Sequence, residues 1–334
     1  MAVAQTQPGS TAQSSAPSSV AADTSNDFKE AYRLSQQGKY DDAIALLQSK
    51  GSQTPKPAGL SHAIGVVYYK KGDYMKAAEY LKQGVTENPG DKEAVQLLGL
   101  SYYRAGRPTE AIPYLEKVQT WYPQANVDAS YVLGMSYIQA KDYPSARKAF
   151  AKMFDLPSDS AASYLLTARM LFRLEFNPVA EEYAQKAIAA DPKLPLAHQL
   201  LGEIHMFMSK IPDAISDFQQ ELTINPAYPA VYYKLADAYS RVQKYEEAER
   251  LLQRSIWLDA TSTGPYILLG KVLQKKGEPV LALGYLQRAA NMDPNNPMTH
   301  QLLGQAYRDM GKSDEAAQEL KIAEQLRNKQ TDFQ

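Results

Sequence analysis

Apolar side chains recur along this chain at helical spacing, in short stretches that come in pairs. Between residues 58 and 91, Ile64, Gly65 and Tyr68 share one helical face, and Ala77, Leu81 and Gly84 share another. Gly72 stands between the two stretches, where a left-handed residue ends a helix without steric cost. Asn88-Pro89 then blocks the second stretch from continuing, because proline has no N–H to donate. The same order returns as Gly99, Tyr102, Gly106, Ala111, Leu115 and Tyr122-Pro123. It returns again as Gly202, Ala214, Phe218 and Asn225-Pro226, then as Gly270, Gly277, Ala282, Leu286 and Asp293-Pro294, and last as Gly304, Tyr307, Gly311, Ala316 and Leu320.

The period is 34 residues, with repeat starts near 24, 58, 92, 127, 161, 195, 229, 263 and 297. One step is 35, where an extra residue enters near Gln124-Ala125-Asn126. Pro108, Pro144, Pro178, Pro212 and Pro279 fall at the start of the second stretch, where a missing N–H is harmless. Pro113 falls deeper and predicts a local distortion of its helix. Stacked antiparallel helix pairs follow, and with them an expectation of partner binding rather than catalysis, since a solenoid grows by nearest-neighbour interfaces and has no single core.

These residues resemble the tetratricopeptide repeat, whose pattern runs W-x2-L-G-x2-Y, then Ala, an aromatic or Leu, and Pro. Leu98-Gly99-x2-Tyr102, Leu133-Gly134-x2-Tyr137 and Leu303-Gly304-x2-Tyr307 match it. Ala occupies position 20 of all nine repeats, from Ala43 and Ala77 through to Ala282 and Ala316. The resemblance covers residues 25–326 and implies an all-α, right-handed superhelical solenoid. The fifth repeat departs most, with Thr167-Ala168 for Leu-Gly and Glu175 for the turn Gly. Asp27 and Glu30 in the first repeat and Glu324 in the last are polar where interior repeats are apolar, as the unpartnered faces of end repeats require.

Composition narrows the function classes. A net charge of −1 and a pI near 6.5 disfavour a general nucleic-acid binder, which needs a basic footprint. No apolar run is long enough to cross a bilayer. Cysteine is absent, which excludes disulfides, thiol catalysis and cysteine metal sites. Residues 1–24 hold Gln, Ser, Thr, Ala and Pro, with no charge before Asp23, and read as a disordered tail; 327–334 form a short C-terminal tail. Ala2-Val3-Ala4 before Gln5 has the small-residue look of a signal-peptidase site, but no basic and apolar regions precede it. Export outside the cytoplasm is slightly preferred, with a cytoplasmic Ala/Ser-rich tail as the alternative.

Candidate chemistry is sparse. His198 and His300 sit at position 4 and His205 at position 11, which are packing positions; His62, at position 5, faces elsewhere and could meet a ligand. No His pair has ligand spacing, so neither a metal nor a cofactor is expected. Gly311-Lys312-Ser313 mimics the end of a phosphate loop, but Ala306 stands where that motif needs Gly. No enzyme is read from the sequence.

A stripe at positions 2, 5, 9, 12 and 13 of the first helices carries more. In the tetratricopeptide family the resemblance implies that this stripe lines the concave groove. Here it holds Tyr69, Tyr103, Tyr131, Met135, Ile138, Leu165, Phe172, Met206 and Phe207, then turns polar as Asp237, Ser240, Lys271, Gln274, Gln305 and Arg308. Either these apolar residues pack along the inner helix layer, or they form a groove for an apolar partner segment. Position 13 adds Lys70, Arg104, Arg173, Arg241 and Lys275. These cations either complement the helix C-termini or form a ladder for partner carboxylates. Position 6 is Leu97, Val132, Leu166, Leu200, Leu268 and Leu302, so the family's carboxylate clamp is absent.

The expected role is a non-catalytic scaffold or adaptor that binds a protein or peptide segment in its groove. The alternative is an accessory subunit of a cell-envelope, secretion, pilus-assembly or protease complex. The oligomeric state is left open.

Overall fold

A computed structural model of the chain describes residues 19–122 and 127–331. The extra residue of the 35-residue step, residues 1–18 of the tail and residues 332–334 lie outside the described residues. Among those described there are eighteen α-helices, a short 3-10 turn over Lys50–Ser52, and no strand.

The helices pair as the repeat register predicts. The first four repeats are α1 (Ser19–Gln36) with α2 (Tyr40–Ser49), α3 (Leu60–Lys71) with α4 (Tyr74–Glu87), α5 (Lys92–Arg104) with α6 (Pro108–Trp121), and α7 (Val127–Gln139) with α8 (Tyr143–Met153). Then follow α9 (Ala161–Arg173) with α10 (Asn177–Ala190), α11 (Ala197–Phe207) with α12 (Ile211–Ile224), and α13 (Pro229–Arg241) with α14 (Tyr245–Leu258). The last pairs are α15 (Thr263–Lys275) with α16 (Pro279–Met292) and α17 (Pro297–Asp309) with α18 (Ser313–Thr331). α1 begins at Ser19, so helix starts ahead of the boundary that tail composition places at residue 24. α6 continues across Pro113, so the missing N–H does not end that helix.

One turn geometry recurs in all nine repeats. Position 15 has a positive φ throughout: Gly38, Gly72, Gly106, Gly277 and Gly311, and also Lys141, Glu175, Ser209 and Gln243. The next residue's N–H then reaches back to the carbonyl at position 11, as from Asp73 to Tyr68 (3.1 Å), Arg107 to Tyr102 (2.9 Å) and Lys210 to His205 (2.8 Å). This closes the first helix with a Schellman bond and turns the chain into the second. Side chains start several helices: Asp91 accepts from the Ala94 N–H at 3.0 Å, and Asp142 from the Ser145 N–H at 3.1 Å.

Within a repeat the two helices meet through position 8. A Cβ added to Gly202 would lie 2.6 Å from the Phe218 ring, and one added to Gly65 would lie 2.6 Å from Leu81. Glycine at these two contacts is a demand of close packing, while Ala31 and Ala236 hold the position in the first and seventh repeats. The fifth repeat meets it differently, carrying Ala168 at position 8 and the small Ala184 at position 24, both fully buried.

The chain divides into two compact units between Asp155 and Leu156. α8 has 11 residues where α4, α6, α10 and α12 each have 14, and it is followed by Asp155 at φ 53 and by Pro157. In the first unit a continuous core runs through Leu47, Leu60, Leu81, Leu98, Leu115 and Leu133. In the second, one cluster centres on Phe218 and Leu235 and another on Leu252, Leu269, Leu286 and Leu303. First helices of successive repeats also touch within each unit, α3 with α5 and α11 with α13.

Candidate functional site: an aromatic recess on the first helices

In the second unit, α9, α11 and α13 enclose a recess of about 490 Å³. Phe172 comes from the last turn of α9, Met206 and Phe207 from the last turn of α11, and Tyr233 from α13. Phe218, wholly buried on α12, lies beneath them. Phe172 and Phe207 meet edge to face, with ring centroids 6.0 Å apart and planes at 90°. Phe207 nevertheless stays 59% exposed, which is far from the fate of a core phenylalanine.

The rim is charged but internally paired. Lys234 bridges to Glu203 at 3.0 Å, and Arg241 to Asp237 at 3.1 Å. Burial, aided by Asp237, pushes the Tyr233 phenol above its ordinary range, so it stays a neutral hydrogen-bonding group. Facing side chains thus present an apolar cleft with two ion pairs along one wall.

Next to the recess lies a buried ionic network. His205 Nδ1 lies 2.7 Å from Asp217 Oδ2, and its Nε2 lies 3.1 Å from Glu181 Oε1. Lys210 donates to both Glu181 oxygens at 2.9 and 2.8 Å, and His198 approaches Asp217 at 3.4 Å. Burial pushes the Asp217 carboxyl upward, against the pull of His205 and His198. At Glu181 burial also works upward, but the bonds from Lys210 and His205 outweigh it and hold this carboxyl low. Glu221, fully buried, accepts from the Leu196 and Gln199 N–H groups at 2.9 and 3.2 Å and fixes the entry to α11. The histidines at packing positions are therefore buried or half-buried as expected, each with a ring nitrogen facing a carboxylate: His300 likewise lies 2.6 Å from Glu319. His62 lies 2.8 Å from Asp91.

The remaining stripe residues separate into two kinds. Tyr69, Tyr103, Tyr131 and Leu165 are half-buried, with Tyr69 edge-on to Tyr74 at 5.6 Å. Ile138 and Met135 are corrections: they are 0% and 7% exposed and belong to the core. Ile138 shares position 12 with Tyr69, Tyr103 and Phe172, but its short side chain is covered where the longer rings project beyond their neighbours. Of the basic positions, Arg241 is spent on Asp237, Lys70 lies 4.5 Å over the Tyr32 ring, and Arg104 donates to the Tyr74 hydroxyl at 3.3 Å. Arg173 and Lys275 are exposed and paired with no carboxylate among the described residues.

The stripe reading stopped the aromatic surface at the sixth repeat, and Tyr233 shows that it extends into the seventh. The signal was present, because Tyr233 occupies position 5 of that repeat, on the same stripe as Asp237. Among the described residues no group of three or more His, Asp or Glu is arranged to hold a metal ion, and no helix is long and apolar enough to cross a membrane.

Tetratricopeptide-repeat family profiles match residues 62–126, residues 102–169 and 208–256, and residues 285–318, together more than half of the chain. Anaphase-promoting complex subunit 3 of Schizosaccharomyces pombe is 21% identical over 175 residues, 52% of this chain and 26% of that protein. The TPR repeat-containing protein MJ1428 of Methanocaldococcus jannaschii is 22% identical over 291 residues, 84% of this chain and 48% of that protein. The chain thus spans half or less of the length of these relatives. Among solved structures, MamA from Desulfovibrio magneticus is 19% identical with a TM-score of 0.49, covering 52% of this chain and 97% of that one. YrrB, described as a TPR protein with an unusual peptide-binding site, is 20% identical with a TM-score of 0.47, covering 54% and 93%.

Proposed function

The chain belongs to the tetratricopeptide-repeat family, and from that premise we propose that it is a non-catalytic scaffold that holds a protein or peptide segment on the first helices of its repeats. The observation that carries this reading is the Phe172–Phe207 pair: two rings in contact, one of them 59% exposed, over a recess of about 490 Å³. An apolar side chain of a partner can enter between the rings and Tyr233, while Lys234–Glu203 and Asp237–Arg241 supply a polar rim. Because the rim charges are already paired, recognition here rests on shape and apolar burial more than on net charge.

Capture from a native-host extract tests the proposal. Wild-type protein should retain binders that Phe172→Ala with Phe207→Ala loses, while far-ultraviolet circular dichroism of the variant stays helical. If both proteins retain the same set, the recess is not the docking surface.

A further inference from the structure

A second recess, of about 540 Å³, opens in the first unit between α1 and α3. Its walls are apolar, formed by Phe28, Ala31, Ala63, Val66 and Val67. Its two ends carry opposite charge. At one end the Lys70 ammonium lies 4.5 Å over the Tyr32 ring and 3.5 Å from the Ser35 hydroxyl, exposed and paired with no carboxylate among the described residues. At the other end Glu93, its side chain 71% exposed, stands beside His62, whose Nε2 is 3.9 Å away and whose Nδ1 is held by Asp91 at 2.8 Å. Residues 62 and 70 lie on the same helix, and a rise of about 1.5 Å per residue sets the two ends roughly 12 Å apart.

We propose that this recess binds an extended segment of a partner protein, with an acidic side chain against Lys70, apolar residues between, and a basic side chain against Glu93. The site is separate from the Phe172–Phe207 recess and does not depend on it. The spacing sets the segment: an extended chain advances about 3.3 Å per residue, so the two charges stand about four residues apart. In a helical segment the same roughly 12 Å would set the two charges about eight residues apart, a spacing that the short segment proposed here does not have. A lone anion would match Lys70 but leave the apolar walls and Glu93 unanswered. A segment with like charges at both ends would set one of them against its own sign. The walls supply most of the affinity, and the two exposed charges set which segment is preferred.

Labelled, capped pentapeptides with three leucines between their end residues test this on the intact protein by fluorescence anisotropy at low salt. One has aspartate and lysine ends, one two aspartates, one two lysines. Wild type should prefer the mixed peptide by about twofold to fivefold, the range that exposed ion pairs allow. Lys70→Glu should move the preference to the two-lysine peptide, and Glu93→Lys to the two-aspartate peptide. Val66→Glu should weaken all three, with helicity unchanged. Phe207→Ala should leave all three unaffected, which separates this site from the aromatic recess. Absence of binding by wild type, equal affinity for the three peptides, or one order of preference across all variants would overturn the proposal.

Discussion

His205 Nδ1 lies 2.7 Å from Asp217 Oδ2 while its Nε2 lies 3.1 Å from Glu181, so one buried ring ties the second helices of two neighbouring repeats together. The two carboxyls shift in opposite directions, Asp217 upward through burial and Glu181 downward because Lys210 and His205 outweigh burial. A lowered carboxyl contributes stability that is present above its unfolded pKa, near 4.3 for Glu, and is lost as pH falls through its folded value. A raised carboxyl does the reverse: its charged form costs stability at neutral pH, and the cost is relieved as pH falls. Glu181→Gln should therefore destabilise by about 1–3 kcal/mol at neutral pH, with the gap to wild type closing in acid. Asp217→Asn should show a gap that widens in acid. Melting temperatures of both variants from neutral pH to about pH 3 check this, and parallel curves would contradict it.

Substitution at position 15 tests the turn. Glu175 holds φ 62, a conformation that costs an L-residue roughly 1–2 kcal/mol, partly offset by the entropy a glycine loses on folding. Glu175→Gly should stabilise by about 0.5–1 kcal/mol, whereas Gly106→Ala, at φ 75, should destabilise by about 1 kcal/mol. Urea midpoints for the two variants should move in opposite directions.

Close approach at position 8 is a separate demand. Gly202→Ala brings a methyl to within 2.6 Å of the fully buried Phe218 ring and should cost about 1–3 kcal/mol. Phe218→Ala should cost less in the Gly202→Ala background than in wild type, since the small side chain vacates the crowded space. A double-mutant cycle measures that coupling, and simple additivity would mean that the backbone, not the ring, absorbs the methyl.

Helix pairing and turn positions were legible because each is fixed within one repeat and then copied. Ala168 is a departure at position 8 that comes with a second one at position 24 of the same repeat, where Ala184 replaces the usual Leu or Phe. What escaped the sequence depends on neighbours. The Glu181–His205–Asp217 network joins residues of successive repeats, so no single-repeat pattern announces it. Burial of Ile138 and Met135 depends on how far each side chain reaches past its neighbours, and equal stripe positions do not encode that. The division after Asp155 follows from the early end of α8 at Met153, which left the 34-residue register intact.

The aromatic recess makes the most direct demand. Calorimetry with a partner captured by wild type should show Phe207→Ala, and Phe172→Ala on its own, each weakening binding by about 2 kcal/mol or more, roughly thirtyfold, with melting temperatures nearly unchanged. A fall in stability of about 3–5 kcal/mol, with binding lost only as the fold is lost, would instead mark both rings as core and contradict docking at this surface.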